Sequence, residues 1–136
     1  MIKTKAPVPM PGRWLRLLSV SHATVGAVVY RRELRDIASR GFVGAAPYRS
    51  KRAAALWFIG SSMPGWLVGR LVDVAADAGD REAVRMVGVL GLAAGVGAAV
   101  VMPTSMSWLQ VIVCARLIQD SRLLARREIA TIHRAG

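Results

Sequence analysis

The stretch VRMVGVLGLAAGVGAAVVM, residues 84–102, has one charge near its leading edge, Arg85, and no polar side chain after it. A helix over these residues reaches about 30 Å, the thickness of a bilayer's hydrocarbon core. It has no polar face to turn toward water, so its natural solvent is lipid or other apolar helices. Gly88, Gly91 and Gly95 recur along it, the last two in G-x-x-x-G spacing, with Ala94 and Ala98 repeating that spacing one face over. Small residues in this pattern let helix backbones approach closely in a membrane, where no hydrophobic drive holds helices together.

Working outward, three more apolar segments emerge at 14–30, 53–75 and 105–124, separated by charge-rich joints. The 136 residues are 54% hydrophobic yet carry a net charge of +11, an uncommon combination for a soluble domain. The fold expected is all-α and membrane-embedded: a four-helix transmembrane bundle, one domain over 1–136, with both termini on the same side. The first segment reads as a retained span, since Arg16 and His22 interrupt it and no small-x-small cleavage site follows in place. The fourth is interrupted by Gln110, Arg116, Gln119 and Asp120. Arg116 is expected to snorkel toward the near interface, with Asp120 one turn on as a partner.

Counted by side, twelve cations share the face of the termini, Lys3 and Lys5 among them, and seven lie on the opposite face between Arg31 and Arg52. The positive-inside rule then puts both termini in the cytoplasm. In RRELRDIASRGFVG, residues 31–44, Leu34, Ile37, Ala38 and Phe42 recur at helical spacing among the arginines, which predicts a short basic interfacial helix on anionic headgroups. A weaker pattern of the same kind runs through Leu124, Ile129 and Ile132. The cations flank apolar segments instead of clustering with base-reading side chains, which argues against nucleic acid as a partner.

Little in the sequence points to enzyme chemistry. Cys114 is the only cysteine, and His133 lies far from His22, so neither a redox pair nor a metal-ligand cluster forms. Asp73, Asp77, Asp80 and Glu82 alternate with Arg70, Arg81 and Arg85 and read as salt bridges in a hydrated joint. No cofactor and no metal is expected. His22 shares a helical face with Ser19 and Gly26, and its imidazole, which both donates and accepts, calls for a partner such as Ser61, Ser62 or Gln110. Pro64 in GSSMPG removes the amide that the Gly60 carbonyl would accept, which predicts a kink; such a kink serves packing alone or lines a cavity. The ligand-binding residues expected are His22, Trp57, Phe58, Ser61, Ser62, Trp108 and Gln110.

The motifs SHATVG at 21–26, LRDIASRG at 34–41, AAALWFIGS at 53–61 and MPTSMSW at 102–108 resemble an uncharacterised family of small bacterial four-span membrane proteins. The likeness covers about residues 14–124. It implies a four-helix protein of the bacterial inner membrane with no established activity, and its pattern falls on His22, Trp57, Phe58, Pro103, Ser105 and Trp108. The arginine-dense first loop and Arg116 depart from it. Three functions fit. The first is a binding or accessory protein with a narrow interior site for a lipophilic molecule, or a subunit of a membrane assembly. The second is an enzyme on a lipid or isoprenoid-like substrate, with His22 as acid or base and Trp57, Phe58 and Trp108 shaping the pocket. The third is an oligomeric transporter or channel subunit. An enzyme needs a second polar group, and only Ser61, Ser62 and Gln110 offer one, so the binder leads. The partners expected are anionic headgroups, a lipophilic small molecule, and a second copy or another membrane protein.

Overall fold

The computed structural model describes residues 10–103, 105 and 107–135, apart from the side chains at 124, 125 and 127–135. Lys3, Lys5, Leu124, Ile129, Ile132 and His133 thus lie outside the described backbone or side chains. The described residues form an all-α structure: α1 (Arg13–Val29), α2 (Arg31–Ser39), α3 (Lys51–Gly60), α4 (Ser62–Asp77), α5 (Arg81–Val101) and α6 (Ser107–Ala135). The chain divides into two compact units, one of Met1–Leu15 with Val68–Gly136 and one of Arg16–Leu67.

In the first unit α5 begins where Asp80 accepts a hydrogen bond from the Ala83 amide at 3.0 Å, capping an otherwise unsatisfied helix end. α5 and α6 pack antiparallel along the glycine face read from the sequence. Gly88 faces Ile118, Gly91 faces Cys114, and Gly95 faces Val111. The Gln110 amide crosses the seam and donates to the Gly91 carbonyl at 3.1 Å. Val72 and Ala76 of α4, Val84 of α5 and Leu117 of α6 form the buried cluster of this unit, with Leu15, Val68, Ala75 and Val87 packed on it.

The acidic residues behave individually. Asp80 is a helix cap, and Glu82 pairs with Arg85 at 3.6 Å. Asp73, expected in a hydrated joint, is only 4% exposed and accepts a hydrogen bond from the Gly12 amide at 2.9 Å. The reason is helical phase: Asp73 lies beside Val72 and one turn before Ala76, on the inward face of α4.

In the second unit the Ser50 hydroxyl caps α3 by accepting from the Ala53 amide at 3.1 Å. The carboxylate of Asp36 on α2 holds Arg40 at 2.9 Å and Arg52 of α3 at 2.6 Å. α2 forms where the arginine-rich helix was expected, but its apolar stripe is narrower. Ile37 is buried, whereas Ala38, about 100° round the helix from it, and Phe42, beyond the helix end at Ser39, are exposed. α3 and α4 part at Ser61, three residues before Pro64. This is the expected interruption, since proline has no amide to continue the ladder.

Among the described residues α5 alone is long and apolar enough to cross a membrane as a single helix. The differences from four equal spans have local causes. α1 holds 17 residues and starts on Arg13 and Arg16; the second segment is divided into α3 and α4; α6 is 29 residues long but includes Arg116, Asp120 and Arg122.

A Cβ at Gly88 would stand 2.8 Å from Ile118 Cγ1 and 3.2 Å from the Cys114 carbonyl oxygen, whereas one at Gly97 meets nothing within 4 Å. Gly88→Ala should therefore lose roughly 1–3 kcal/mol of stability through overpacking. Gly97→Ala should gain about 0.5–1 kcal/mol by stiffening the unfolded chain. Unfolding in mild detergent measures both, and equal effects would contradict the close α5–α6 approach.

Candidate functional site

The second unit carries an aromatic cluster built on the face of α1 that holds His22 and Gly26 and continues to Tyr30. These three residues are spaced by four, one above another on a helix. Gly26 leaves a gap between the two rings, and Phe58 of α3 fills it: a Cβ at Gly26 would lie 2.8 Å from Phe58 Cδ1 and from Ile59 Cγ1. The His22 and Phe58 rings stack with centroids 3.9 Å apart and planes 18° from parallel. Tyr30 tilts against the other side of the cluster at 5.6 Å. One turn earlier Ser19 is buried, its hydroxyl where a side chain at Gly65 would stand.

The sequence assigned His22 a hydroxyl or amide partner, and the structure gives it a ring. Ser61 donates its hydroxyl to the Phe58 carbonyl at 2.8 Å. Ser62 is 8% exposed, and its hydroxyl has no hydrogen-bond partner among the described residues. Gln110 belongs to the other unit and is engaged with Gly91. Trp108, in that same unit, donates its indole N–H to the Pro103 carbonyl at 3.0 Å, closing the turn before α6.

Trp57 and Phe58 also separate. Adjacent residues on a helix point about 100° apart. Phe58 packs on α1, while Trp57 lines an open groove of about 580 Å³ along α3 and the start of α4, with Ala53, Leu56, Gly60, Ser61 and Pro64. These positions follow one face at spacings of three and four. Of the two roles a kink at Pro64 could serve, packing or lining a cavity, the groove corresponds to the second; its lining includes Gly60, whose carbonyl Pro64 cannot serve. Its walls are apolar apart from the serine hydroxyl and backbone. Among the described residues no group of His, Cys, Asp and Glu is placed to hold a metal ion.

In the first unit Trp14 is approached by two guanidinium groups, Arg13 at 4.9 Å and Arg116 at 5.8 Å from the ring centroid. Arg116 thus has an aromatic neighbour that the i, i+4 relation to Asp120 did not suggest. Nothing in the spacing of residues 14 and 116 signals that contact. The pairing of Gly26 with Phe58 was equally hidden, although the spacing of His22, Gly26 and Tyr30 by four marks the face that makes it.

If the ring stack fixes α1 on α3, His22 and Phe58 should be energetically coupled. A double-mutant cycle with His22→Leu and Phe58→Leu, read by unfolding in detergent, should give a coupling of about 0.5–1.5 kcal/mol. His22→Phe should retain more stability than His22→Gln. Zero coupling, or the reverse order, would contradict the stack.

No curated protein and no solved structure gives a significant match to the chain. One family model does match, over residues 6–123, and its range takes in the aromatic cluster, the groove and the glycine seam. The chain belongs to that family, the family of unknown function DUF6463.

Proposed function

We propose that the protein is a multi-pass membrane protein that binds a lipophilic molecule in the groove beside Trp57 and Pro64. In this reading α1, α3 with α4, α5, and α6 supply four crossings, with both termini in the cytoplasm. The observation that carries it is where the apolar side chains go. Val28 of α1, Leu71 of α4, Leu90 and Val100 of α5 and Ile112 of α6 are each more than half exposed. Large apolar surface of this kind marks contact with lipid or partner protein.

The groove supports the binding role. It is apolar, it runs along a face interrupted by proline, and at membrane depth irregular backbone is tolerated where it lines a cavity or is covered by protein. Trp57 gives it a broad aromatic wall and the Gly60 carbonyl a hydrogen-bond acceptor. The stack of His22 on Phe58 supports a packing role for that histidine in preference to acid–base chemistry.

Native mass spectrometry of the detergent-purified protein tests this. The wild-type chain should retain an adduct of small-molecule mass. Gly60→Leu, which fills the groove from an exposed position with nothing near its Cβ, should lose the adduct while leaving the fold intact by circular dichroism. No adduct on the wild type, or an adduct unchanged in the variant, would contradict the proposal.

A further inference from the structure

The segment between α1 and α3 concentrates charge. It holds seven cations, from Arg31 to Arg52, against Glu33 and Asp36. Asp36 is already engaged by Arg40 and Arg52. Its hydrogen bond to Arg40, followed by that to Arg52, holds its carboxyl below the ordinary carboxylate range, so this engagement persists at neutral pH. Among the described residues no ion pair engages Arg31, Arg32, Arg35, Arg49 or Lys51. These five cations are thus outside any ion pair among the described residues and are free to meet an external anion.

The same segment displays apolar side chains at its tip. Val43 is 94% exposed, Tyr48 87% and Phe42 71%. This is an ordered presentation. Phe42 and Arg49 are the two residues other than glycine with left-handed backbone among those described, at φ 57° and 64°. The loop is tied down by the Phe42 amide donating to the Ile37 carbonyl at 3.4 Å, the Ala45 amide donating to the Phe42 carbonyl at 3.3 Å, and the burial of Ala45 itself. The Arg49 guanidinium lies 5.6 Å from the Tyr48 ring. α2, by contrast, turns its best apolar residue, Ile37, inward, so the apolar surface offered outward belongs to the loop.

Exposed apolar and aromatic side chains on a segment whose arginines mostly lack an ion pair match one surface in particular, an anionic bilayer face, whose headgroups take the cations and whose upper acyl region takes the rings. We propose that the α2–α3 loop is an anionic-phospholipid site: Phe42, Val43 and Tyr48 enter the headgroup layer, and Arg31, Arg35 and Arg49 bind lipid phosphates. This rests on the membrane reading above and adds lipid selectivity to it. It also gives a physical reason for seven cations on the side of the membrane where the positive-inside rule disfavours them.

The test uses the full chain with Val43→Cys carrying an environment-sensitive fluorophore; Cys114 is buried, and the unsubstituted chain controls for its labelling. The protein is reconstituted in nanodiscs of phosphatidylcholine, with or without phosphatidylglycerol. With phosphatidylglycerol the emission should shift to the blue and be quenched by brominated acyl chains. Each of Arg31→Gln, Arg35→Gln and Arg49→Gln should lower the preference for that lipid about fivefold. Aqueous emission in both disc types, or insertion equal in both, overturns the proposal. A chain that fails to enter the discs overturns the membrane reading beneath it, a separate outcome seen by co-elution before any fluorescence is read.

Discussion

The close approach of α5 to α6 is the contact on which the first unit depends. Its buried apolar cluster is small, centred on Val72, Ala76, Val84 and Leu117, and it cannot organise two long helices alone. Gly88, Gly91 and Gly95 let the two backbones come close enough for the Gln110 amide to reach the Gly91 carbonyl. Dispersion between closely apposed helices, together with the Gln110–Gly91 hydrogen bond, holds the pair where large interdigitating side chains are few. A side chain inserted into that seam acts on the helix pair directly.

Spending small residues on the inside leaves the large ones outside. Leu90 and Val100 project from the same helix whose Gly88, Gly95 and Ala99 are buried. The second unit follows a related rule with rings. Gly26 opens a notch in α1, Phe58 enters it, and His22 and Tyr30 close on either side. Trp57, one residue before Phe58, is left free to line the groove. Polar atoms find partners at short and long range: Ser61 bonds within its own turn, Asp73 takes the Gly12 amide from a distant part of the chain, and Asp36 gathers Arg40 of its own helix and Arg52 of α3.

Much of this was legible because membrane-like sequences record helix faces in residue size. The run 84–102 announced α5, the glycine spacing announced its packing face, and Pro64 announced the break between α3 and α4, though not which side chains would line a groove there. The inward face of α1 was legible from Ser19, His22 and Gly26. What the face would meet was not, because the chain gives no register between distant helices. The ring that meets His22 is Phe58, which no spacing marked, and Trp108 and Gln110 belong to the other unit. Asp73 departs from its charge pattern for a related reason: the pattern points to solvent, whereas helical phase beside Val72 and Ala76 carries it inward. The exposed apolar residues of the α2–α3 loop are masked in the sequence because Phe42 continues the helical spacing of Leu34 and Ile37 past the helix end at Ser39.

The central claim is that the outward apolar side chains of α1, α4, α5 and α6 lie in lipid. Extraction of membranes from cells expressing the full chain with alkaline carbonate, without detergent, tests it most directly. The protein should stay in the membrane pellet and be released only when detergent is added. Release into the supernatant by carbonate alone would contradict it.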